Sequence, residues 1–479
     1  MIYRNLFAQA ESGRTIAAGV IGTGQYATAI VTQAASIPRL TVPVIADIDV
    51  EAARRACHRA GVPAEQTVVC ESRRNALQTL DEGKLVVLAD PLLMMDLPLD
   101  VVVEATGAAE AGASHALEAI GHGKHVVMVT KETDVTVGPI LKHLAHQNGV
   151  VYTAADGDQH GLLMGLVTWA RELGLEVLCG GKARDADIQY DEATRTLFGK
   201  RGELPLAPAS AAAFQPIGEG GGAEAVALRA TALGDSARVR RDDVMELTIV
   251  ANATGLGPDA KFLHAPILRT IEIPEVLCPV DEGGILQTRG AIEMAICLRG
   301  RNDPGMGGGV FIVVECTNDY SREILFGKGL VSNRRRSAGL IYRPYHLCGV
   351  ETPISILCAG LLGIPTGSDE YVPRYDLVGR AARDLKRGEI IEDTGDIQTL
   401  EALMLPAHPV GNGVPLPMLM IEGNSLNVDV ARGNIINADM VTASDESVLW
   451  SLRRKQDDEF SQLYQGRIPD ASPRGPSQT

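Results

Sequence analysis

The sequence predicts an α/β protein with a doubly wound parallel sheet in its N-terminal part, and three observations carry that prediction. A short run of small and β-branched residues, Thr15–Ile21, ends directly in Gly22-Thr23-Gly24-Gln25-Tyr26-Ala27. A second apolar run, Val42–Ala46, ends in Asp47, about 20 residues beyond that turn. Apolar runs then alternate with amphipathic patterns as far as residue 156. Strands alternating regularly with helices assemble as a parallel sheet covered on both faces.

In a strand-turn-helix context each small residue of the first turn has a task. Gly22 makes the tight turn, Gly24 lets a pyrophosphate approach the backbone, and Ala27 lets helix and strand pack closely. The helical segment Tyr26–Ala35 offers amide N–H groups and the positive end of its dipole to phosphate. Gly22, Thr23, Gly24, Gln25, Tyr26 and Ala27 are therefore the cofactor-binding candidates, with Asp47 placed to read a ribose 2′-hydroxyl. Further strands are expected at Thr41–Ala46, Lys84–Ala89, Asp100–Ala105, His125–Thr130 and Val150–Ala155. Helices are expected at 2–12, Asp49–Ala60, Ser72–Asp81, Ala108–Gly121 and Val137–Asn148. Residues 1–156 thus read as a Rossmann NAD(P)-binding domain.

After Ala155 the pattern changes. Gly157–Leu173 reads as a helix and Leu175–Lys182 as a strand, followed by an irregular segment, Ile188–Ala237. Its glycine run, Gly220-Gly221-Gly222, reads as a mobile loop, with a lid over the substrate as the alternative. Helices at Val244–Thr254 and Pro353–Leu362 and strands at Ala291–Leu298 and Gly309–Glu315 complete an α+β central domain, residues 157–372, for catalysis and oligomerisation. From residue 373, Ala381–Ile391 and Leu426–Val441 repeat one pattern: an apolar run, a basic-Gly-polar turn, Ile-Ile, then an acid. Each reads as a hairpin around its glycine, within a small β unit over 373–446. Residues 447–479 read as a closing helix, Ser447–Tyr464, and a disordered tail after Pro469.

The bulk numbers set limits. At 479 residues two or three domains are expected, and a net charge of -16 argues against nucleic acid or an anionic membrane as partner. An anionic ligand in such a chain needs locally gathered Arg, Lys and helix N-termini. The 8 cysteines are scattered with no CxxC pair, which reads as reduced, buried thiols of a cytoplasmic protein. No stretch has signal-peptide or membrane-spanning character.

Ligands of an open parallel sheet bind at the carboxyl ends of its strands. Those ends carry Asp47, Glu104-Ala105-Thr106-Gly107, Thr130-Lys131-Glu132 and Asp156-Gly157-Asp158-Gln159-His160. Thr106 and Gly107 are small enough for ribose and nicotinamide to pass. Lys131 is a candidate for both cofactor contact and catalysis, because a cation there stabilises developing alkoxide charge. Lys182, Lys328, Arg343 and His346 stand in Gly-rich or apolar surroundings and suit an anionic substrate. Asp156, Asp158 and Glu351, with Glu246 beside them, are hard oxygen donors of the kind that hold Mg²⁺ or Mn²⁺; N-caps and a buried ion pair are the alternative reading. Arg334-Arg335-Arg336 reads as a solvated basic loop, and His58, His115, His122 and His143 as surface or packing residues.

Several of these motifs resemble a definite group. Glu104-Ala-Thr-Gly followed by Gly123-Lys-His-Val-Val-Met-Val-Thr-Lys131 resembles the homoserine dehydrogenase and Gfo/Idh/MocA oxidoreductases. Adding Tyr152–Gly161, Cys179–Lys182, Ala251–Leu256 and Arg343–Pro353, the chain resembles, over roughly residues 5 to 446, the 1-deoxy-D-xylulose 5-phosphate reductoisomerase-like family. The paired Ala381–Ile391 and Leu426–Val441 segments resemble the SAF β-clip. The resemblance implies an NAD(P)-dependent oxidoreductase of isoprenoid biosynthesis, acting on a small anionic polyhydroxy carbonyl compound as a homo-oligomer. On the reading of the residues, Lys131, Lys182, His346 and Asp158 are the candidates for catalysis, with Asp156, His160, Lys328, Arg343 and Glu351 on the substrate. The family uses NADPH, and Arg54 and Arg55 could reach a 2′-phosphate, whereas Asp47 favours NAD; NADP stands slightly ahead and both stay open. Simple hydride transfer, as in a homoserine or polyol dehydrogenase, stays open beside coupled isomerisation. From a different class, a non-catalytic dinucleotide sensor needs the glycine turn but not the Lys131, Asp158 and His346 motifs.

Overall fold

The computed structural model describes residues 2–10, 13–200, 202–218, 220–442 and 446–464. Among these residues seven strands form one parallel sheet: β1 (Ile16–Ile21), β2 (Leu40–Ala46), β3 (Thr67–Val69), β4 (Leu85–Leu88), β5 (Val101–Glu104), β6 (His125–Met128) and β7 (Tyr152–Ala154). They lie in the order β3-β4-β2-β1-β5-β6-β7, every pairing parallel. Helices α1 (Ile2–Gln9), α2 (Gln25–Ala34), α3 (Val50–Arg59), α4 (Arg73–Asp81), α5 (Ala109–Gly121), α6 (Lys131–Gln147) and α7 (Gln159–Glu172) interleave with the strands. This is the expected doubly wound fold with β3 added; three residues are too few to display a period. Ile16, Ala18 and Val20 of β1, Val101 and Val103 of β5, and Ala27, Ile30 and Val31 of α2 make the core beneath the glycine turn.

One helix begins earlier than expected. α6 starts at Lys131, not near Val137, and its first two turns bury Thr133, Asp134, Val135 and Thr136. Burial of polar and apolar residues alike removes the amphipathic contrast by which a helix is recognised.

Compactness divides the chain in two. The first unit comprises Met1–Gly161, Leu347–Glu401 and Pro406–Thr479, and the second Leu162–His346 with Ala402–Leu405. The helix read as Pro353–Leu362 is an α-turn, Pro353–Leu357, running into a π-turn, Cys358–Leu362. It groups with the first unit because it packs into the nucleotide-domain core: Ile356 and Leu357 join that cluster. A Cβ at Gly360 would lie 2.9 Å from Ile16.

The C-terminal β segments pair differently from two separate hairpins. Leu385 bridges Val430, Ile390 bridges Ser425 and Arg380 bridges Ile435, so the first segment pairs with the second; within the second, Leu426 bridges Val441. Gly388 and Gly433 both take positive φ, +81° and +90°, at the basic-Gly turns. The closing helix is present as Val448–Glu459, with Ser461–Tyr464 after it. The tail after Pro469 lies outside the described residues.

In the second unit a mixed sheet gathers β8 (Glu176–Ala183), β9 (Ile188–Asp191), β10 (Thr196–Gly199), β11 (Gly202–Pro205), β12 (Gly257–Pro258), β13 (Ile267–Leu268), β14 (Ala291–Arg299), β15 (Val310–Glu315), β16 (Val331–Ser332) and β17 (Gly339–Arg343). Its order is β11-β10-β9-β14-β8-β15-β17-β16, with β12 and β13 also against β14. Residues 188–237 are therefore not irregular. They form the β9-β10-β11 meander and the helix Gly222–Leu233, which the glycine run opens, with Gly222 buried beside Val276. Arg229 of that helix is fully buried, paired with Glu272 at 2.7 Å and donating to the carbonyls of Ala213, Gln215 and Ile267.

Among the described residues no helix is long and apolar enough to cross a membrane. Of the eight cysteines only Cys348 is exposed.

Candidate active site

The turn between β1 and α2 contains two glycines that are there for different reasons. Gly22 has φ +92°, and a Cβ there would lie 2.4 Å from the Ala105 carbonyl oxygen, so the fold itself requires glycine. Gly24 has φ −62° and ψ −174°, a conformation open to any residue, and nothing lies within 4 Å of where its Cβ would be. The protein's own packing gives no reason for glycine at 24, and the space is suited to a group from outside the chain. Gly24 is the N-cap of α2 and offers no side chain to the helix amides. By helix geometry the N–H groups of the first turn lack intrahelical acceptors and point at that space. These residues fit a dinucleotide pyrophosphate. Gln25 is exposed at the first helical position, and Ala27 is buried against the sheet. The Tyr26 side chain is engaged within the protein: its hydroxyl is held by the Asp156 carbonyl at 3.2 Å and by Thr352 Oγ1 at 2.9 Å, and burial raises its pKa far above the ordinary phenol range.

Asp47, the candidate for the ribose, follows β2 directly and lies beside the glycine turn. Its Oδ2 accepts from Thr23 Oγ1 at 2.5 Å and its Oδ1 from the Asp49 amide at 2.9 Å, which aims the carboxylate at the turn. Arg54 pairs with Glu51 at 3.5 Å and Arg55 with Asp49 at 3.2 Å, so neither arginine neutralises Asp47. On the other side of β1, the Gly107 amide donates to Thr130 Oγ1 at 3.0 Å, and Thr106 Oγ1 donates to the fully buried Glu104 at 2.6 Å. The path past Thr106 and Gly107 is exposed.

Lys131 is the first residue of α6, and its Nζ stands 3.4 Å from Asp158 Oδ2, between β7 and α7. Asp158 is almost wholly buried, its Oδ1 accepting from the Gln159 amide at 2.8 Å, whereas a quarter of the Lys131 side chain meets solvent. A buried anion thus directs a partly exposed cation to the strand ends. His160 is 1% exposed, its Nδ1 is 3.9 Å from Asp158 Oδ1, and neither ring nitrogen makes a hydrogen bond. Asp156 is fixed through its main chain: its amide donates to Ser355 Oγ at 2.8 Å, and its carbonyl accepts from Thr352 Oγ1 at 2.7 Å. Gly157, φ +91°, could not carry a Cβ without meeting the Leu347 carbonyl at 2.9 Å.

Behind Lys131 lies a buried group that sequence reading missed. Asp134 accepts from the Tyr152 hydroxyl at 2.8 Å and the Tyr371 hydroxyl at 3.2 Å. Burial raises its pKa, opposed by nearby His160 and the two tyrosines. Tyr152 stands in a quoted motif, but Tyr371 is far away in the chain and no local pattern links it to Asp134.

The remaining candidates belong to the second unit. Lys182 on β8 is buried and ion-paired with Glu246 and, at 3.2 Å, with Asp243; Arg184 approaches Asp243 at 3.4 Å. His346 Nδ1 lies 2.5 Å from the Gly308 carbonyl, an acceptor only, so Nδ1 carries the proton and Nε2 is the basic nitrogen. Arg343 ends β17 and stacks over the Tyr345 ring at 5.0 Å. Lys328 is exposed just past the helix Asp319–Gly327, where a cation complements the helix dipole.

Among the described residues no three His, Cys, Asp or Glu side chains are gathered as a metal site. Asp156, Asp158 and Glu351 are not brought together as a Mg²⁺ or Mn²⁺ set. Asp158 is turned to Lys131 and Gln159, Glu351 packs its Cβ along Gly157, and Glu246 is held by Lys182.

Comparison with known proteins adds two family matches. Residues 19–153 match the homoserine dehydrogenase NAD-binding domain, and residues 235–352 match the catalytic domain of oxidoreductase DRL. The matches are thus to an NAD-binding domain and to an oxidoreductase catalytic domain. The first match spans the glycine turn, Asp47 and Lys131, and the second contains Glu246, Lys328, Arg343 and His346; Asp156–His160 and Lys182 fall outside both. No curated protein matches the chain. Among solved structures, an NAD-binding oxidoreductase from Klebsiella pneumoniae is 17% identical over 38% of this chain and 46% of its own, with TM-score 0.27. Myo-inositol dehydrogenase from Lactobacillus casei, in complex with NAD(H) and myo-inositol, is 15% identical over 39% and 65%, with TM-score 0.26. DOX-P reductoisomerase in complex with magnesium is 16% identical over 36% and 46%, with TM-score 0.27. The chain covers 46%, 48% and 46% of the length of the first structures it matches. Likenesses this distant carry no functional weight.

Proposed function

We propose that this protein is an NAD(P)-dependent oxidoreductase that moves hydride between a nicotinamide cofactor and a small anionic polyhydroxy carbonyl substrate, most like the enzymes that convert 1-deoxy-D-xylulose 5-phosphate to 2-C-methyl-D-erythritol 4-phosphate. The observation that carries the reading is the Lys131–Asp158 pair at the carboxyl ends of the nucleotide-binding sheet, in a chain that also matches an oxidoreductase catalytic domain. When bound, the nicotinamide supplies or accepts the hydride. Lys131 donates to the substrate oxygen on which negative charge builds, and Asp158 aims the ammonium at it. Thr106 and Gly107 leave the passage for the nicotinamide ribose, and the α2 amides hold the pyrophosphate. Lys182 is left as a buried ion pair with Glu246 and Asp243, while Arg343, Lys328 and His346 stay candidates for an anionic substrate. Asp47, unneutralised by Arg54 or Arg55, makes NAD the preferred cofactor.

The test is to incubate the purified chain with NADH or NADPH and a panel of ketose phosphates, hydroxy aldehydes and keto acids, with and without Mg²⁺, following nicotinamide absorbance and identifying products. Turnover of a phosphorylated ketose to a branched polyol supports the reductoisomerase reading, whereas reduction without rearrangement supports a simple dehydrogenase. Tight nucleotide binding with no carbonyl consumed would sink both. A homo-oligomer is also expected, on the family resemblance, and a monomer in sedimentation at micromolar concentration would refute it.

A further inference from the structure

α6 has a weak point directly behind the turn that carries Lys131. Pro139 lacks the N–H that would bond to Val135, and its ring crowds that carbonyl. Gly138 precedes it, and Thr136 Oγ1 bonds back to the Glu132 carbonyl at 2.9 Å, a contact that bends helices. The next rung of the ladder is Ile140 N–H to the Thr136 carbonyl. Both of those groups are taken by one side chain from another helix. Ile140 N–H donates to Gln456 Oε1 at 3.2 Å, and Gln456 Nε2 donates to the Thr136 carbonyl at 3.4 Å.

Gln456 is held rigidly. It is 1% exposed, on the helix Val448–Glu459. The Glu110 carboxylate of α5 receives the first amides of that helix, Val448 at 2.6 Å and Leu449 at 3.2 Å. Its fully buried Arg453 grips Asp376 with two bonds, 2.6 and 2.7 Å, and reaches Asp457 and the His408 carbonyl, each at 2.9 Å. A carboxamide offers one acceptor and paired donors, so it matches a helical N–H and C=O together. On the far side of the weak point the Tyr371 hydroxyl holds the Asp134 carbonyl at 3.0 Å.

We propose that Gln456 is a positioning residue: its carboxamide splices the α6 ladder at the Gly138-Pro139 break and thereby fixes the first turn, Lys131–Val135, against the body of the helix. The effect on catalysis rests on the role given to Lys131 above; the splice itself does not.

Gln456→Met keeps length and removes both hydrogen bonds. In the full chain it is expected to speed hydrogen exchange at Ile140 and over Lys131–Val135 about tenfold. It is expected to lower kcat about tenfold with nucleotide Kd unchanged, as a small misplacement of one reacting group does. Adding Pro139→Ala, which restores an uninterrupted ladder, should recover both readouts, a rescue that loss of packing alone would not permit. Gln456→Glu, which keeps the acceptor for Ile140 but not the donor for Thr136, should fall between and serves if the methionine variant does not fold. Unchanged exchange in a folded Gln456→Met, or slowed turnover that Pro139→Ala fails to restore, overturns the proposal. If Lys131→Ala leaves turnover intact, the role of Lys131 fails separately and positioning is judged on exchange alone.

Discussion

Gly24→Val and Gly22→Ala form a matched pair that separates a ligand-driven glycine from a fold-driven one. At Gly22 a side chain meets φ +92° and a backbone oxygen at 2.4 Å. The dihedral costs about 1–2 kcal/mol. The overlap with main-chain atoms costs about 1–3 kcal/mol more, because backbone cannot step aside as a flexible side chain does. Gly22→Ala should therefore lose about 3 kcal/mol of stability and melt several degrees lower. At Gly24 the dihedral is ordinary and the space empty to 4 Å, so Gly24→Val should stay within about 1 kcal/mol of the parent, a small N-cap effect. Its cost falls on the ligand. Two charge-assisted bonds from the α2 amides to a displaced pyrophosphate represent about 3 kcal/mol, or over a hundredfold in Kd. Thermal unfolding and nicotinamide fluorescence titration on both variants measure this. A folded Gly24→Val with parental affinity, or a Gly22→Ala as stable as the parent, would refute the reasoning.

Three further outcomes are expected. Lys131→Ala should lower kcat about a hundredfold, some 3 kcal/mol, with little change in nucleotide affinity, and near-parental turnover would make the lysine a bystander. Asp47→Ser should shift preference from NAD towards NADP, measured as the ratio of kcat/KM for the two cofactors; a parent already preferring NADP contradicts the placement of Asp47. For Asp134, burial raises the folded pKa above the unfolded one, so the native state binds the proton more tightly. Its contribution is most favourable below the unfolded pKa, about 4, and is lost as pH rises towards the folded value. Asp134→Asn keeps an acceptor for Tyr152 and Tyr371, and urea midpoints should show the variant gaining on the parent as pH rises above about 4, with no gain below it. A constant difference across pH would show that Asp134 titrates alike in both states.

How much of this was legible in the sequence depended on how far apart the cooperating residues stand. The glycine turn, Asp47 and six of the seven sheet strands were readable because each is a period or a dihedral demand spread over a few residues. The start of α6 was hidden because Thr133 and Asp134 are buried beside Val135, which erases the amphipathic contrast. The 188–237 segment looked irregular because four-residue strands give too few alternations to count. Lys131 and Asp158 could be named separately, but their 3.4 Å pairing is a product of β6 and β7 lying side by side.

The sequence by itself determined the nucleotide-binding architecture and the acid at the end of its second strand, since a pattern over a few residues decides both. Only the tertiary structure decided which polar groups satisfy one another once water is gone. Lys182 is consumed by Glu246, Tyr371 reaches Asp134 across 237 positions, and Gln456 enters α6 across 316. A buried donor or acceptor must find a partner wherever packing brings one, and packing is a property of the whole chain.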